Sequence, residues 1–418
     1  MGARTSLPRI AYLTGIYPLG SLTFIQREVE ALRELGADVR TVSCRSVSPD
    51  DFAGVPEQEA ARETHYLLRA ARNPADFIAA QWAALRAPRR YLRAFRRAMK
   101  MRNPGLKSLF IHLAYLLEAT MMAQFVRRKG IDHIHCHFAK NGPLVAMLTR
   151  DLTDVPYSFT LHGPSDLYDP EGVRLGAKAA EASFVATISH YARSQLMLFS
   201  DPEHWDRFRI IHCGVNPALY SRPRVRRDDK EIRLIFVGRL APVKGLRVLF
   251  RALNPLFTKY PDLRLTVVGD GPDRPRLEAD AAQFGDRISF TGYLPQQEVA
   301  QKLSQSDICV LPSFAEGVPV ILMEAMASGL PVVATQVAGV GELVTHGQNG
   351  YLARPGDPED LRIYIEALVD SADLRARMGA AGREVVKSDF IVADESARLV
   401  RLFADGPGPD VRPAIAKS

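Results

Sequence analysis

Long apolar runs are missing from this 418-residue sequence. The longest candidate, Leu109 to Leu117, contains His112 and is about half of the roughly 18 residues a bilayer span needs. No membrane-spanning segment is expected on that ground. The opening MGARTSLPRI carries no apolar secretion signal and leads directly into a strand pattern, so a cytoplasmic chain is predicted. Only four cysteines occur, Cys44, Cys136, Cys213 and Cys309, far apart and each in or beside a strand-like run. That scatter excludes a disulfide framework or a cysteine-zinc cluster and predicts reduced core thiols. There is no G-x-G-x-x-G, the dinucleotide fingerprint, and no D-x-D in the strand-end loops. No repeat of solenoid type is present.

Acid is also missing locally. From Phe77 to Leu117 there is no aspartate or glutamate, and Arg86 to Lys107 holds nine cations within a chain of net charge +7. Trp82, Leu85, Tyr91, Leu92, Phe95 and Met99 interleave with them. A basic helix with an apolar side suits an anionic membrane surface, so peripheral attachment through 86–107 is predicted. A solvated helix face has the same composition. Nucleic acid is not expected, because no reading motif accompanies the charge.

What is present is alternation. Strand patterns at Arg9 to Thr14, Asp38 to Ser43, Ile131 to Cys136, Tyr157 to Leu161, Phe184 to Thr187 and Arg209 to His212 mostly alternate with helical segments. A helical, basic excursion occupies 56–129. A second series follows at Ile232 to Val237, Leu263 to Val268, Arg287 to Thr291, Ile308 to Leu311 and Pro331 to Ala334. Between the two series, 216–230 is polar and proline-containing, as a linker is. The predicted fold class is α/β, with two doubly wound Rossmann-like domains, 1–215 and 231–389, facing a central cleft. A terminal helix at 390–406 and a disordered tail at 407–418 complete the expectation.

The chemistry gathers in the loops after the strands. After Ile308 to Leu311 comes PSFAEGVP, then a helix pattern from Val318 to Ser328. The loop Gly317, Val318, Pro319 and Val320 would present the amides of a helix N-terminus to a phosphate. Glu316 in the loop and Glu324 about two turns into the helix could accept hydrogen bonds from sugar hydroxyls. A buried strand-loop-helix with two surface glutamates fits the same spacing. In FVGRLAPVKG, Arg239 and Lys244 beside the amide of Gly238 make a diphosphate clamp. VVGDGP places Gly269 at another strand-end turn, where Asp270 is expected to cap the next helix.

In the first half, Gly15 and Gly20 bound a Gly/Pro loop that permits close approach of a ligand. His162 and Gly163 directly follow the strand SFTL. The run HIHCH puts His133, His135 and His137 on one face of a strand. In-line ligands seldom build a tetrahedral site, so no metal is expected, and His137 at the strand end is placed toward the cleft.

Taken together, G-R-L-x3-K-G, V-V-G-D-G-P, F-x-G-Y and P-S-x2-E-G-x-P-x4-E-A-M-A-x-G-x-P-V-V-A-T resemble the donor half of retaining glycosyltransferase family 4, of GT-B fold. H-x-H-F-A, S-F-T-L-H-G, T-I-S-x-Y and I-H-C-G-V are similar to its exopolysaccharide, colanic-acid branch. The resemblance implies a retaining, metal-independent transfer from a nucleotide-diphosphate sugar to a glycan or polyprenyl-diphosphate-linked acceptor, with no cofactor. It places Arg239 and Lys244 on the diphosphate, Glu324 on the ribose and Glu316 on the donor sugar. His162 falls near the reacting carbon, Gly15 and Gly20 on the acceptor and phosphate side. The loop here reads GIYPLGSL where the family has a plain G-G. A nucleotide-sugar 2-epimerase or phosphorylase of the same fold, or a non-catalytic partner subunit, are the alternatives.

Overall fold

The computed structural model describes residues 7–48, 54–221 and 231–408. They form two compact units, one made of the described residues up to 211 with 396–408 and one of those from 212 to 395. Of the expected linker, 222–230 lies outside the described residues, as does the expected tail from 409 onward. Residues Pro217–Tyr220 form a 3-10 turn capped by Asn216, with Tyr220 buried in the core of the second unit.

The first unit holds a seven-stranded sheet in the order β3-β2-β1-β4-β5-β6-β7. Its strands are β1 Ile10–Ile16, β2 Val39–Arg45, β3 His65–Tyr66, β4 His133–His137, β5 Tyr157–Leu161, β6 Val185–Thr187 and β7 Phe208–Ile210. All pairings are parallel, for example Ile10 against both Val39 and His133. The second unit holds β8 Ile232–Val237, β9 Leu263–Val268, β10 Ile288–Gly292, β11 Ile308–Leu311, β12 Val332–Thr335 and β13 Gly350–Ala353. Their order is β10-β9-β8-β11-β12-β13, again parallel throughout. A parallel sheet is covered on both faces, which is why β11 reads as an unbroken apolar run and is buried at every residue. Each sheet reverses its strand order once, at β1/β4 and at β8/β11. Ligands of open α/β sheets bind beyond the strand carboxyl ends at such a reversal.

β13 was not among the expected strands, several strand ends shift by one or two residues, and three further details differ from the sequence-based expectation. β1 runs on to Ile16, so Gly15 is a strand residue rather than the first residue of the loop. Exposed and with open space around its α-carbon, it continues the extended run without cost. The excursion is not wholly helical, since β3 extends the sheet edge by pairing with Val42 and Ser43. The Leu106–Lys129 helix is by length and composition apolar enough to cross a membrane, where none was expected. His112 interrupts the run in sequence, but Leu116, Met122, Ala123 and Val126 bury the second half in the core of the first unit.

The basic stretch is partly internal. In the Pro88–Met101 helix, Arg97 pairs with Asp151 at 2.5 Å and with Glu181 at 3.1 Å. Arg93 reaches Asp151 and Asp154, and Arg90 also meets Asp154. These three cations have carboxylate partners within their own unit, although Arg93 stays exposed. Arg86, Arg89, Arg96 and Lys100 remain exposed.

The last helix, Val392–Asp405, starts in the second unit and returns the chain to the first at Ser396. There Leu399 and Phe403 pack into the cluster around Ile10, Tyr12 and Phe184.

Candidate functional site

In the second unit the β8/β11 reversal brings together two loops distant in sequence. After β8 the chain turns through Gly238, Arg239 and a 3-10 turn, Pro242–Lys244, into the Leu246–Lys259 helix. After β11 it runs from Pro312 to Pro319 before the Val320–Ala327 helix. Gly245 has φ +68°, and a β-carbon there would lie 2.0 Å from the Pro312 carbonyl oxygen, so only glycine lets the two loops touch. The Phe314 amide donates to the Val243 carbonyl at 2.8 Å and locks the contact.

Lys244 Nζ donates to Glu316 Oε1 at 2.6 Å, and Ser313 Oγ donates to the same oxygen at 2.6 Å. Thr335 Oγ1 in turn donates to the Ser313 carbonyl. Glu316 is thus nearly buried, at 9% exposure, and held by two donors. The cation and carboxylate that the sequence assigns to different parts of a donor are here partners of each other. A charge-assisted contact of this kind fixes the ammonium in space. Arg239 is exposed, and among the described residues no carboxylate pairs with it. A fixed ammonium and an open guanidinium at one strand end can stabilise charge developing on a leaving phosphate.

Four expected details change. The helix begins at Val320, so Gly317 and Val318 lie in the loop, and Pro319, at the cap position, has no N–H to offer. Glu324 is therefore the fifth helical residue, little more than one turn in. It is buried to 7% exposure. The Gly238 amide donates to Val268 at 3.0 Å within the sheet and is not available to an anion. Gly269, at φ +131°, is needed for packing, because a β-carbon would lie 2.0 Å from the Gly238 carbonyl oxygen. Asp270 caps no helix: it accepts from the Gly271 amide at 2.7 Å and pairs with Arg274 at 2.7 Å.

In the first unit, β4 and β5 deliver a row of histidines. His133 Nε2 and His135 Nδ1 both meet Ser158 Oγ, at 2.7 and 2.8 Å, and His135 Nε2 meets Thr160 Oγ1 at 2.9 Å. Burial pushes His133 down to about 3 and His135 well below the usual range, so both rings stay neutral. The donor atoms of Glu28, His135 and His137 all lie within 4.8 Å of one another. Both nitrogens of His135 already have hydroxyl partners, so this trio offers at most two ready ligands.

His137 and His162 belong together. His137 Nδ1 lies 2.8 Å from His162 Nε2, and His137 Nε2 lies 3.3 Å from Glu28 Oε1. Tyr12 completes the chain by donating to Glu28 at 2.7 Å. Burial, and then His137, hold the His162 pKa well below the ordinary value. Asp166 fixes the backbone around this group, accepting from the His162 amide at 3.1 Å and from Ala139 at 3.0 Å. Phe138 follows at φ 68°, a strained conformation for a bulky residue, which clusters at functional sites. Its ring packs 4.8 Å from that of His162. Gly20 opens the 3-10 turn Gly20–Leu22, just after the cis Tyr17–Pro18 peptide. Glu28, Ser313, Asp166 and Phe138 were not singled out from sequence. Phe138 and Ser313 stood inside the quoted motifs with no role given to them, and Glu28 is a carboxylate in the first helix after a strand-end loop.

Residues 20–199 match the family described as a glycosyl transferase 4-like domain, and residues 220–385 match glycosyl transferases group 1. An uncharacterized glycosyltransferase of Methanocaldococcus jannaschii is 30% identical, over 68% of this chain and 78% of the relative. The amylovoran biosynthesis glycosyltransferase AmsK of Erwinia amylovora is 26% identical, over 91% of this chain and 96% of its own. Anabaena HepE, solved with UDP-glucose, matches with TM-score 0.71 at 18% identity, over 95% of this chain and 99% of that one. At that identity the likeness speaks to the fold.

Proposed function

Because this chain belongs to the group 1 glycosyltransferases, with their GT-B fold, we propose that it is a retaining, metal-independent enzyme using a nucleotide-diphosphate sugar. The acceptor in this reading is a lipid-linked glycan of a bacterial surface or exopolysaccharide. The observation that carries the reading is the Lys244–Glu316–Ser313 group beside Arg239 at the β8/β11 reversal. As the anomeric bond breaks, the leaving diphosphate gains charge, and in this reading the held Lys244 ammonium and the open Arg239 guanidinium answer it. HepE was solved with UDP-glucose, which supports a UDP-sugar donor. AmsK serves amylovoran biosynthesis, which supports the exopolysaccharide assignment. The test is a panel of nucleotide sugars, scored first by melting temperature and then by transfer with and without membrane lipid extract. Donor turnover that is independent of extract would point to an epimerase or phosphorylase instead.

His162, in this proposal, stands near the reacting carbon and is oriented by His137 and Glu28. His162→Ala is expected to lower kcat at least roughly tenfold, the low end for a positioned histidine, with the melting temperature nearly kept. A purely structural histidine would give the reverse, a lowered melting temperature at parental kcat.

Attachment to the inner face of the cell membrane belongs to the same proposal. Ile78, Trp82 and Leu85 on one helix, Leu92 and Phe95 on the next, and Leu106 and Phe110 on the third are exposed. The Arg86 guanidinium sits 3.3 Å above the Trp82 ring, and Arg89, Arg96 and Lys100 are exposed around it. Each such cation near an anionic leaflet contributes about 1 kcal/mol. Arg86→Glu, Arg89→Glu and Arg96→Glu together are expected to release the protein from anionic liposomes without changing nucleotide binding. Equal sedimentation of variant and parent would dispose of the membrane contact.

A further inference from the structure

We propose that a cavity in the first unit, at the start of the Gly142–Thr153 helix, holds the phosphate or diphosphate head of an amphiphile whose apolar chain leaves along the Leu106–Lys129 helix. The inference rests on the lipid-linked acceptor reading and gives it a location. The cavity, about 360 Å³, is lined by Lys107, Lys140 and Lys178 together with His112 and Asn141, and by no carboxylate. The buried Asp166 acts on Lys140 and Lys178 from behind the lining, which leaves the cavity wall itself with three cations and no carboxylate, a surface that attracts an anion.

The supply of donors suits phosphate. Asn141 is the cap residue of a 12-residue helix and makes no side-chain cap bond, and Leu144 in the first turn also lines the cavity. In the first turn the amides of Gly142 and Leu144 have no partner within the helix, while Pro143 has no N–H to offer. Lys178 Nζ donates to the carbonyls of Ala139 at 2.8 Å and Lys140 at 2.6 Å. An ammonium has a third hydrogen, and Lys178 is itself only 2% exposed. Burial pulls its pKa down to about 7, a penalty that a neighbouring phosphate would relieve.

The mouth of the cavity suits an apolar chain. Ile111 lines the cavity and is also exposed. On the same helix Leu106 is 75% exposed and Phe110 68%, either side of Lys107. A free inorganic anion would need none of these. A head group on a long hydrocarbon chain uses both the lysines and the apolar residues.

The experiment is calorimetric titration of the full chain with farnesyl diphosphate and with inorganic pyrophosphate, on the parent and three variants. Lys107→Ala/Lys140→Ala is expected to weaken farnesyl diphosphate by tenfold or more, since each charged hydrogen bond lost is of that scale. Phe110→Ser should weaken farnesyl diphosphate but leave pyrophosphate unchanged. Lys244→Ala, in the second unit, should leave farnesyl diphosphate binding at the parental level. Unaltered farnesyl diphosphate binding by the double lysine variant would overturn the cavity as the site. So would pyrophosphate bound as tightly as the isoprenyl compound and lost with it in the double lysine variant, which would mark an anion site without a lipid at this cavity. Transfer to lipid extract is measured in parallel: product formed by a double variant that transfers like the parent rejects this cavity alone. Absence of any lipid product from the parent rejects the acceptor reading itself.

Discussion

Lys244→Ala is expected to lower the turnover rate by about a hundredfold or more, the scale of removing one preorganised electrostatic partner of the transition state. The ammonium is held 2.6 Å from Glu316 by a turn whose glycine, Gly245, is clamped against Pro312. It is therefore aimed before any donor arrives and costs no reorganisation when charge develops on the diphosphate. Ground-state binding of the nucleoside diphosphate should weaken much less than kcat falls, because the charge it answers grows only as the bond breaks. The same substitution leaves the buried Glu316 with Ser313 as a donor but no cation, so a modest loss of stability is also expected, about 1–3 kcal/mol. Lys244→Ala/Glu316→Gln separates the effects: it should regain melting temperature without regaining turnover. Steady-state kinetics and calorimetry on both variants are the measurement. Transfer at the parental rate by Lys244→Ala would show that the clamp is elsewhere and that the reading of this loop is mistaken.

The identity of the elements was legible in the sequence because parallel strands leave continuous apolar runs and their loops keep glycine and proline. β11 was read to the residue, Ile308–Leu311, since it is buried at every position. The start of the following helix was not. Val318 and Val320 both fit its apolar face, and only the cap geometry at Pro319 decides between them. The Lys244–Glu316 pair spans 72 residues. It becomes visible only when β8 and β11 are known to be neighbours, which strand patterns do not state. The ion pairs of the Pro88–Met101 helix were hidden for the same reason. Its cations stand in one block, whereas Asp151, Asp154 and Glu181, which neutralise three of them, come from later elements. A local excess of charge predicts a surface only where tertiary partners are missing, and a single sequence does not show that. Gly269 taught a smaller lesson. A strand-end glycine suggests close approach to a ligand, but here the close neighbour is the protein's own Gly238 carbonyl.

Glu324→Gln is expected to weaken binding of the nucleoside diphosphate by about 1.5–3 kcal/mol, a loss of tenfold or more. The residue sits in the second turn of the Val320–Ala327 helix and is 7% exposed. Burial, and then the Glu324 carboxylate, push the Cys309 thiol up to about 12, so the charge is felt at β11. A carboxylate at this place can accept further hydrogen bonds, and ribose hydroxyls are donors of the right kind. Glutamine keeps the length and one acceptor oxygen while removing the charge that makes the hydrogen bonds strong. Because the ribose does not change during transfer, its contacts are equal in the ground and transition states. Uniform binding of that sort moves affinity and leaves kcat alone. The expected pattern is thus the opposite of Lys244→Ala: weaker titration of the nucleoside diphosphate, raised KM, and kcat near the parental value. Should Glu324→Gln lower kcat with unchanged affinity, the carboxylate would be acting on the reacting sugar, and the ribose would have to be held by another group.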